Sequence, residues 1–493
     1  MSIVVGVDSS TQSCTVEFRD AVSGKFLGRG STPHTATNPP VSEQNPLEWW
    51  DALVLIFNKT CADNSIDKSA IAAISVAAQC HGLVTLDGNN LPVRPAKLWN
   101  DTTSAPQSQK LITQYGADFW LKKVNSIIGP SFTITKIAWL KENEPVNFDK
   151  TEHFLLPHDY LTFKFSGKFV TDRAGGSCTG YFSPQKNCWD FELLKLIDSS
   201  KNWEKFIPEV SNGEQSVGTI TGEAASLLGI STETKIGPGT GDQFASCLGL
   251  GISEGDIAFS LGTSGVVLTV SDSIVEDSAG WFNGMADASG RYMPVAVSLN
   301  ATKVTQWATN ILNCDLEELG RLALNALPGD NKLVLSAFFD GERTPDLPYA
   351  TGTLSGINTQ QTRENFARAA YEGVLLGLLR IFHHLGSIGI KTDGRLIVTG
   401  GGARGKAYPQ ILSDLIGREV CTLDVEESTA RGACILASSL VTGHSIKQVT
   451  TDWAPQISQK FTPTHKSYSK ELLERYTEIT ELRQLDKLGA KIK

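Results

Sequence analysis

The sequence predicts an α/β protein made of two similar halves, each built on a mixed β-sheet. Three observations predict this architecture. Short apolar strands alternate with amphipathic helices along the chain. A strand, a polar turn and a second strand near the N-terminus (SIVVGVDSSTQSCTVEFRD) have a counterpart in the middle of the chain (GDIAFSLGTSGVVLTVSD, residues 255–272). Late in the chain, residues 395–417 read as a strand, a glycine-rich loop and a helix.

The size and composition are those of a globular protein with more than one domain. The chain has 493 residues, and at about 150 residues per domain this predicts two to four domains. Hydrophobic residues make up 41% and charged residues 20%, which excludes a disordered chain. Forty-four Lys and Arg against 53 Asp and Glu give a net charge of −9, and no basic run reaches four residues. Nucleic-acid binding is therefore not expected.

No segment of the sequence is typical of a membrane protein or of a secreted one. No apolar run approaches the roughly 20 residues that span a bilayer. The N-terminal MSIVVGVDSS lacks the charged and apolar regions of a signal peptide. Nine cysteines, an odd number without a CxxC pair, fit neither a disulfide framework nor a zinc site. We expect a cytoplasmic protein with reduced thiols and no membrane contact.

The first elements follow from periodicity and turn residues. Residues 2–8 and 14–20 alternate as strands around the polar turn SSTQS, and AVSGK then turns the chain into a third strand. Residues 46–62 carry apolar side chains at helical spacing, with a proline near the start, so an amphipathic helix is expected there. The apolar run at 71–79 favours a buried strand.

The repeated hairpin implies two similar lobes, because a repeated unit implies a repeated fold. We place an N-terminal lobe at residues 1–248 and a C-terminal lobe at residues 249–493. The glycine-rich segment 236–243 just before the boundary is a candidate hinge. Residues 362–386 predict a helix with one buried stripe, which makes His383 and His384 packing or surface residues, and residues 467–493 predict a charged amphipathic helix.

The glycine loop of residues 400–405 is compatible with two kinds of site. Gly400, Gly402 and Gly405 satisfy G-x-G-x-x-G between a strand and a helix, and Asp424 lies where a ribose-binding acid would sit. A P-loop is excluded, because Ala407 stands where the magnesium-binding hydroxyl is required. A dinucleotide site and a glycine turn without a ligand both remain open from this pattern alone.

The two matched turns favour nucleotide binding. Asp8 stands at the end of a strand and is followed by five polar residues, 9–13. Hydroxyls and backbone amides of such a turn can hold phosphate oxygens, while Asp8 holds Mg²⁺ directly or through water. The turn at 262–265 offers Gly, Thr, Ser and Gly without an acid. Either turn alone is an ordinary polar turn, but two matched turns and a glycine loop together predict an ATP cleft between two lobes.

The start VDSST, the central SLGTSG and the late TGGGARG resemble the FGGY family of carbohydrate kinases, the sugar-kinase branch of the actin-like ATPase fold. The resemblance runs from residue 3 to about residue 440. It implies two actin-like (ribonuclease H-like) lobes with mixed sheets and a cleft between them, and ATP and Mg²⁺ as cofactors. Family members are often dimers, so a homodimer is compatible with the resemblance.

The resemblance also assigns the reacting groups and the nucleotide contacts. It implies that Asp242 accepts the proton of the attacking hydroxyl, as a carboxylate within hydrogen-bond reach can do. From the sequence alone, Asp242 could instead simply cap the helix that follows. Asp8 is the implied magnesium ligand. The residues implied to bind the ATP phosphates are Ser10, Thr11, Gln12, Ser13, Gly262 and Thr263, and those implied to bind adenosine are Gly400, Gly401 and Gly402.

Within the family, the segments AQCHG, LWND and GTGDQ are most similar to members that phosphorylate D-xylulose. The residues implied to contact the sugar are Gln79, His81, Gly82, Trp99, Asn100 and Asp101. Two positions depart from those members, which usually have Met where Cys80 stands and Arg where Thr103 stands. Both departures fall in the sugar pocket. A third, Lys406 after Gly405 in place of Ser-Pro, falls on the nucleotide side.

We therefore expect ATP-dependent phosphorylation of D-xylulose to D-xylulose 5-phosphate. The nearest alternative keeps the fold and changes the substrate to ribulose, fuculose or gluconate. Glycerol is disfavoured, because glycerol kinases of the family usually carry an Arg-Glu pair where His81 and Gly82 stand. The more distant alternatives are a dinucleotide-dependent oxidoreductase that uses the loop at 400–405, and a non-sugar ATPase or scaffold of the same fold.

Overall fold

A computed structural model describes residues 2–328, 333–465 and 468–484 of the chain. The chain folds into two compact units. Unit 1 comprises Met1–Gly251, Gly284–Met293 and Val425–Pro455, and unit 2 comprises Ile252–Asn283, Pro294–Asp424 and Gln456–Lys493. The predicted boundary at 248/249 lies close to the first change of unit, whereas no pattern in the sequence indicated that two later segments return to unit 1.

Unit 1 is built on a seven-stranded mixed sheet. Its strands follow the spatial order Gly218–Thr219, Lys235–Ile236, Ile71–Ala78, Ile3–Ser9, Ser13–Asp20 and Phe26–Pro33, with Thr240–Gly241 also paired to Ile71–Ala78. The first two strands of the chain form the predicted antiparallel hairpin, and the predicted strand at 71–79 runs parallel to the first. Both predictions are confirmed.

Smaller pairings extend unit 1 beyond this sheet. The two-stranded sheets are Glu43–Gln44 with Ala96–Lys97, Val84–Leu86 with His153–Leu155, Val170–Asp172 with Glu209–Ser211, and Phe182–Ser183 with Cys188–Trp189. The α-helices of unit 1 are Pro46–Asp63, Ala105–Tyr115, Ala117–Val124, Thr133–Asn143, Pro145–Lys150, Pro157–Ser166, Arg173–Ser177, Phe191–Lys195, Gly222–Leu228, Asp242–Gly249, Ser428–Thr442 and Ile446–Asp452. Short 3₁₀ turns occur at Lys68–Ala70 and Trp203–Lys205.

The predicted helix at 46–62 is confirmed as Pro46–Asp63. The side chain of Asn45 accepts a hydrogen bond from the amide of Leu47 at 3.1 Å, and proline occupies the first helical position, where its missing N–H costs nothing. The buried face includes Trp49, Leu53 and Phe57. This face packs in the unit 1 core with the apolar side chains of the hairpin.

Two helices of unit 1 cross at unusually short range. A Cβ added to Gly249 would lie 1.9 Å from the carbonyl oxygen of Ser428, and one added to Gly432 would lie 1.8 Å from that of Ala245. Only glycine permits such an approach of two helix backbones. The crossing presses Asp242–Gly249 against Ser428–Thr442, the helix that returns to unit 1 from the C-terminal part of the chain.

Unit 2 repeats the strand arrangement of unit 1. The second seven-stranded sheet of the described chain follows the order Asn283–Ala286, Tyr292–Ser298, Gly265–Leu268, Ile257–Leu261, Leu396–Thr399, Val420–Leu423 and Ile457–Phe461. A separate pair is formed by Val334–Ser336 and Thr353–Ser355. As in unit 1, an antiparallel hairpin (257–268) is followed by a parallel strand (396–399) beside its first strand. The repeat inferred from the sequence is therefore confirmed as a repeat of topology.

The helices of unit 2 surround this sheet. They are Thr302–Leu312, Leu316–Asn325, Arg363–Ser387, Ala407–Ile416 and Ser469–Gln484, with a 3₁₀ turn at Gly401–Arg404. The helix predicted at 362–386 is confirmed, but its single buried stripe is wrong, because nearly every residue from 367 to 382 is buried. The helix runs through the unit 2 core, where even Arg368 is buried, with its charge paired to Glu372 at 2.7 Å.

Three predictions about the remaining chain can be compared with the structure. His383 is exposed and His384 pairs with Asp277 at 2.9 Å, so both are surface or packing residues as expected. The C-terminal helix is present at Ser469–Gln484, and the part of the prediction at 485–493 lies outside the described residues. The nine cysteines all lie in the described part of the chain, and none of them forms a disulfide. Among the helices described, none has the length and apolarity that crossing a membrane requires.

Candidate active site

The predicted catalytic residues of unit 1 converge at one edge of its sheet. The strand Ile71–Ala78 lies between the strands that carry Asp8 and Thr240, runs parallel to both, and places Ala77 opposite each of these residues. Asp242 follows two residues after Thr240. The carboxyl ends of parallel strands are where α/β sheets bind ligands, so three strand ends bring two carboxylates and the predicted sugar segment together.

Asp242 is the first residue of the helix Asp242–Gly249. Its Oδ1 accepts a hydrogen bond from the amide of Gln243 at 2.8 Å and from the thiol of Cys80 at 3.3 Å. Burial raises the pKa of Asp242 above its ordinary value, while these two hydrogen bonds lower it. The helix N-terminus also favours a carboxylate. The side chain is thus a held carboxylate with a raised proton affinity, as a general base requires.

Asp8 is the last residue but one of its strand, Ile3–Ser9, and lies close enough to Asp242 for their charges to interact. Burial, together with the negative charges of Asp242 and Glu427, raises the pKa of Asp8 to about 8, against a hydrogen bond from Ser10 that lowers it. The Ser10 hydroxyl donates to Oδ1 of Asp8 at 2.5 Å. A buried carboxyl group with negative neighbours is poised to bind a cation, because a positive charge would offset both the burial and the repulsion.

The turn after Asp8 is braced by side chains from other segments. The indole N–H of Trp99 donates to Oγ1 of Thr11 at 2.8 Å, and the amide of Gln44 donates to the Thr11 carbonyl at 2.9 Å. Gln12 is exposed and Ser13 is half-buried. The turn therefore presents polar groups from a fixed backbone, and its contacts with phosphate remain a prediction.

His81 is held in a special conformation just after the central strand. Its φ of 63° lies in the left-handed region that non-glycine residues seldom adopt. Its Nδ1 lies 2.7 Å from the carbonyl oxygen of Cys178, so Nδ1 carries the proton. Thr133 donates to the His81 carbonyl at 3.0 Å, and the Phe132 ring packs at 4.8 Å from the imidazole. Backbone and ring are both fixed, as expected of a residue that orients a ligand.

The other predicted sugar residues next to His81 leave polar atoms without partners. Oε1 of Gln79 and Oδ1 of Asn100 are buried and accept no hydrogen bond within the described ranges. Such atoms are costly unless a ligand or water satisfies them. Trp99, in contrast, is 47% exposed. Gly82 is required by space, because an added Cβ would lie 2.7 Å from Cγ of Pro157.

Asp101 has a structural task that the sequence did not reveal. Its buried carboxylate accepts from the amides of Ser42 at 2.9 Å and Thr103 at 3.0 Å, and from the Thr103 hydroxyl at 2.5 Å. Lys97 lies 3.2 Å away. Burial alone would raise the pKa of Asp101, but these hydrogen bonds and the charge of Lys97 lower it. Thr103, one of the two departures in the sugar segment, therefore supports Asp101, and the sugar contact of Asp101 remains a prediction.

The residues around Asp8 fit magnesium in the form in which kinases use it. Among the described residues no group of three or more His, Cys, Asp or Glu side chains is arranged as a metal site. Mg²⁺ needs no such cage, because it commonly binds through one or two carboxylates, several waters and the substrate's phosphates. The buried carboxyl of Asp8, with the charge of Asp242 acting on it, would supply the carboxylate part of that set, and magnesium binding remains a prediction.

The second predicted phosphate turn lies in unit 2, between the strands of its hairpin. The amide of Gly262 donates to the carbonyl of Ser264 at 3.0 Å. The carbonyls of Gly262 and Thr263 accept from the amides of Thr302 and Ala301 at 3.0 and 3.1 Å. Gly262 and Thr263 are exposed. The turn is held by its carbonyl groups at the start of a helix and offers its remaining polar groups outward.

The glycine loop of unit 2 connects a strand and a helix as predicted. Gly400 has a φ of 82°, and a Cβ there would lie 2.8 Å from the carbonyl oxygen of Leu261. A Cβ on Gly402 would lie 2.7 Å from Cβ of Leu261. A Cβ on Gly401, in contrast, would lie 4.0 Å from its nearest neighbour, the carbonyl oxygen of Leu261, and would fit without a clash. Two of the three glycines are thus required by packing against the strand end, and the adenosine contact remains a prediction for all three.

Sequence reasoning missed the residues that hold the site in place. Cys178, Phe132 and Thr133 contact His81 but carry no motif, and Cys178 is 97 positions away along the chain. The thiol contact between Cys80 and Asp242 spans 162 positions. Nothing in a single sequence pairs such distant residues.

Comparisons with known proteins agree with this geometry. The N-terminal domain model of the FGGY family of carbohydrate kinases matches residues 3–249, and the C-terminal domain model matches residues 257–440. The chain is 37% identical to the xylulose kinase of Streptomyces rubiginosus over 452 residues, or 92% of this chain and 90% of that protein. The xylulose kinase structure from Bifidobacterium adolescentis has a TM-score of 0.86 at 30% identity, with 97% and 99% of the two chains covered.

The fold of this chain is also similar to that of a kinase named for a different substrate. The gluconate kinase structure from Lactobacillus acidophilus has a TM-score of 0.90 at 23% identity and 98% coverage of both chains, which shows the shared fold alone. Fold and site together define a phosphotransferase of the actin-like ATPase class. The chain belongs to the FGGY family of carbohydrate kinases and is an ATP-dependent sugar kinase. This decides against the oxidoreductase and the scaffold.

Proposed function

We propose that the protein transfers the γ-phosphate of ATP to D-xylulose and forms ADP and D-xylulose 5-phosphate. The observation that carries the proposal is the match to xylulose kinases over nine-tenths of the chain. The geometry of unit 1 supports it, because the held carboxylate of Asp242 and the fixed imidazole of His81 both follow strand ends at the same sheet edge.

Asp242 is the proposed general base. One of its oxygens, Oδ1, is occupied by Gln243 and Cys80, which orients the carboxylate. The other oxygen accepts the proton of the sugar's terminal hydroxyl as that hydroxyl attacks the γ-phosphorus. His81 with its fixed tautomer, Gln79 and Asn100 with their unpartnered oxygens, and Trp99 are proposed to hold the ketose. Positioning of this kind supplies much of the rate of phosphoryl transfer.

The nucleotide side of the site is proposed from the matched turns. Ser10, Thr11, Gln12 and Ser13 of unit 1 and Gly262 and Thr263 of unit 2 bind phosphate oxygens, and the loop Gly400–Gly402 binds adenosine. Asp8 holds Mg²⁺, directly or through water. Held there, Mg²⁺ would supply positive charge to offset that of the phosphates in the transition state.

The alternative substrate is another sugar of the same chemical kind. Cys80 and Thr103 depart from the xylulose-specific pattern, and both lie in the sugar segment. Two contacts support keeping D-xylulose as the proposed substrate despite these departures. The Cys80 thiol contacts the base rather than leaving a gap, and Thr103 satisfies Asp101.

Release of ADP from Mg-ATP tests the proposal directly. The assay compares xylulose, ribulose, fuculose, gluconate and glycerol with a control that lacks sugar. Stimulation by xylulose far above the others is expected. A stronger response to another sugar would overturn the substrate and keep the kinase, whereas the same slow rate with every sugar would contradict sugar phosphorylation.

The base assignment has its own test. Replacement Asp242→Asn keeps the size of the side chain and removes its basicity, so turnover should fall by about 10²- to 10⁴-fold while xylulose still binds in a calorimetric titration. Near-normal turnover of the variant would show that another group takes the proton. Asp63→Asn, at the exposed end of a helix, is the matched control.

A further inference from the structure

The buried carboxylate of Asp172 is hydrogen-bonded both to the segment that carries Asp242 and to the helix that precedes Cys178, the partner of His81. Oδ2 of Asp172 accepts a hydrogen bond from the Thr240 hydroxyl at 2.8 Å, and Oδ1 accepts from the amide of Gly175 at 2.7 Å. Asp172 is 1% exposed and Thr240 is completely buried. Thr240 stands in the segment GTGDQ, but neither residue belongs to the set predicted to touch substrate or nucleotide.

The first of these hydrogen bonds secures the segment that carries the base. The strand Thr240–Gly241 has two residues and pairs with the strand Ile71–Ala78. Asp242 follows at once as the first residue of its helix. So short a strand fixes its continuation weakly by backbone pairing alone. The Thr240 side chain adds a charge-assisted hydrogen bond two residues before Asp242, and such bonds are stronger than neutral ones.

The second hydrogen bond secures the partner of His81. Asp172 caps the helix Arg173–Ser177 by accepting from Gly175. The residue after that helix is Cys178, whose carbonyl oxygen accepts from Nδ1 of His81 at 2.7 Å. A shift of the cap would therefore move the carbonyl that sets the imidazole's tautomer and orientation.

Burial disfavours the charged form of Asp172, so its carboxylate depends on the hydrogen-bond donors and the positive charge around it. Burial raises the pKa of Asp172 to about 6, while the hydrogen bonds from Gly175 and Thr240 and the charge of Arg173 lower it. The neighbouring His158 is neutral, because burial lowers its pKa to about 3. Its ring fills the space above Gly175, where a Cβ would lie 2.1 Å from Nε2. The pocket is therefore tightly packed, and it leaves Asp172 little freedom to find other donors.

We propose that Asp172 is a positioning residue for phosphoryl transfer, which sets Asp242 and His81 in register through Thr240 and the turn ending at Cys178. This inference rests on the proposed function. It predicts that loss of the Thr240 arm slows the chemical step more than it weakens sugar binding, because the base moves while the groups that hold the ketose stay in place.

The test compares three variants by kcat and KM for xylulose and by thermal unfolding. Thr240→Val keeps the shape and removes the donor, and a displacement of the base by up to about 1 Å should lower kcat by about 10- to 100-fold. KM for the sugar should change far less. Thr240→Ser restores the donor and should recover most of the lost kcat.

Thr234→Val is the matched control. Thr234 is 1% exposed beside the opposite end of the strand Ile71–Ala78, and its hydroxyl donates to the Ile71 carbonyl at 3.1 Å. This variant should lose stability comparably and keep its kcat. Equal kcat values for the two valine variants would overturn the proposal, and so would a serine variant as slow as Thr240→Val.

A variant of Asp172 itself tests the inference if Thr240→Val does not fold. Asp172→Asn retains the side-chain shape and one acceptor oxygen, which can keep the hydrogen bond from Gly175 and so hold Cys178 and His81 in place, whereas the charge-assisted bond from Thr240 is lost. The same split is therefore expected, with kcat lowered and KM little changed. Wild-type kcat from Asp172→Asn would overturn the proposal. Failure of the proposed function is distinguishable, because the wild-type protein itself would then show no stimulation of ADP release by xylulose.

Discussion

The thiol of Cys80 donates a hydrogen bond to Oδ1 of Asp242, with sulfur and oxygen 3.3 Å apart. Cys80 lies two residues after the strand Ile71–Ala78 and is buried, and an added Cβ on Gly241 would lie 2.4 Å from its sulfur. The space around the thiol is therefore full. The contact joins the predicted sugar segment to the proposed base and lowers the pKa of that base.

Removing the Cys80 thiol should shift the acidic side of the pH–activity profile to higher pH. The hydrogen bond from Cys80 stabilises the charged form of Asp242 and lowers its pKa. In Cys80→Ala that pKa rises, so the base becomes protonated at higher pH. A hydrogen bond to a charged group is worth about 1.4 kcal/mol or more, so a shift of about one pH unit is expected. The pH dependence of kcat measures it. Cys80→Ser should stay close to wild type, and identical acid limbs in all three proteins would contradict the coupling.

Asp8 should make the metal-free protein less stable as the pH rises. The pKa of Asp8 is about 3.9 in the unfolded chain and about 8 in the folded protein. The proton on Asp8 therefore stabilises the fold fully at pH values below about 3.9, and this contribution is lost as the pH rises towards 8. Without Mg²⁺, the melting temperature should therefore be lower at pH 8 than at pH 6. In Asp8→Asn this difference should shrink.

Magnesium supplies the control for that prediction. Mg²⁺ at pH 8 should raise the melting temperature of the wild-type protein, because the ion binds the folded carboxylate. It should have little effect on Asp8→Asn. A variant that keeps the full response to Mg²⁺ would show that the ion binds elsewhere.

The crossing of the two helices should tolerate no added methyl group. In Gly432→Ala the new Cβ would meet the Ala245 carbonyl at 1.8 Å, and both partners are backbone that cannot rotate away. A loss of about 1–3 kcal/mol in the free energy of unfolding is expected, measured by urea denaturation. Gly222→Ala, where an added Cβ meets no atom within 4 Å, should change the stability by less than about 1 kcal/mol. Equal stability of the two variants would refute the packing argument.

Trp99 should report sugar binding. It is 47% exposed and donates to Thr11 in the proposed phosphate turn at 2.8 Å. Trp99→Phe should abolish most of the change in tryptophan fluorescence on adding xylulose. KM for the sugar should rise about 5- to 30-fold for a loss of roughly 1–2 kcal/mol. Trp307→Phe, which changes a tryptophan of unit 2 that is 40% exposed, should retain the signal. Persistence of the signal in Trp99→Phe would remove Trp99 from the site.

Much of the fold could be predicted because it follows from local patterns. Alternating apolar residues on either side of a polar turn predict a hairpin wherever they occur, so both hairpins, at 3–20 and 257–268, are confirmed. The helix Arg363–Ser387 marks the limit of such reasoning. Its stripe of apolar residues predicted one buried face, but burial on most sides depends on the neighbouring strands and helices.

The reactive side chains of the site could also be predicted from the sequence, since each candidate stands at a strand end or in a polar turn. Asp8, His81 and Asp242 belong to separate local patterns, and the resemblance joined them before any coordinates did. The residues that hold these side chains in place could not be predicted from the sequence. Asp172, Cys178 and Thr240 act through single hydrogen bonds between distant segments, and no spacing along the chain encodes such a bond.

The sequence by itself determined the α/β class, the duplicated hairpin, the family and the residue types that can carry phosphoryl transfer, because these depend on local periodicity and side-chain chemistry. The tertiary structure alone decided which atoms are paired and which are buried. Parallel pairing of three strands brought Asp8 and Asp242 to one edge. Burial there raised the proton affinity of both carboxylates. A raised pKa comes from what surrounds a group, and only the folded chain supplies those surroundings.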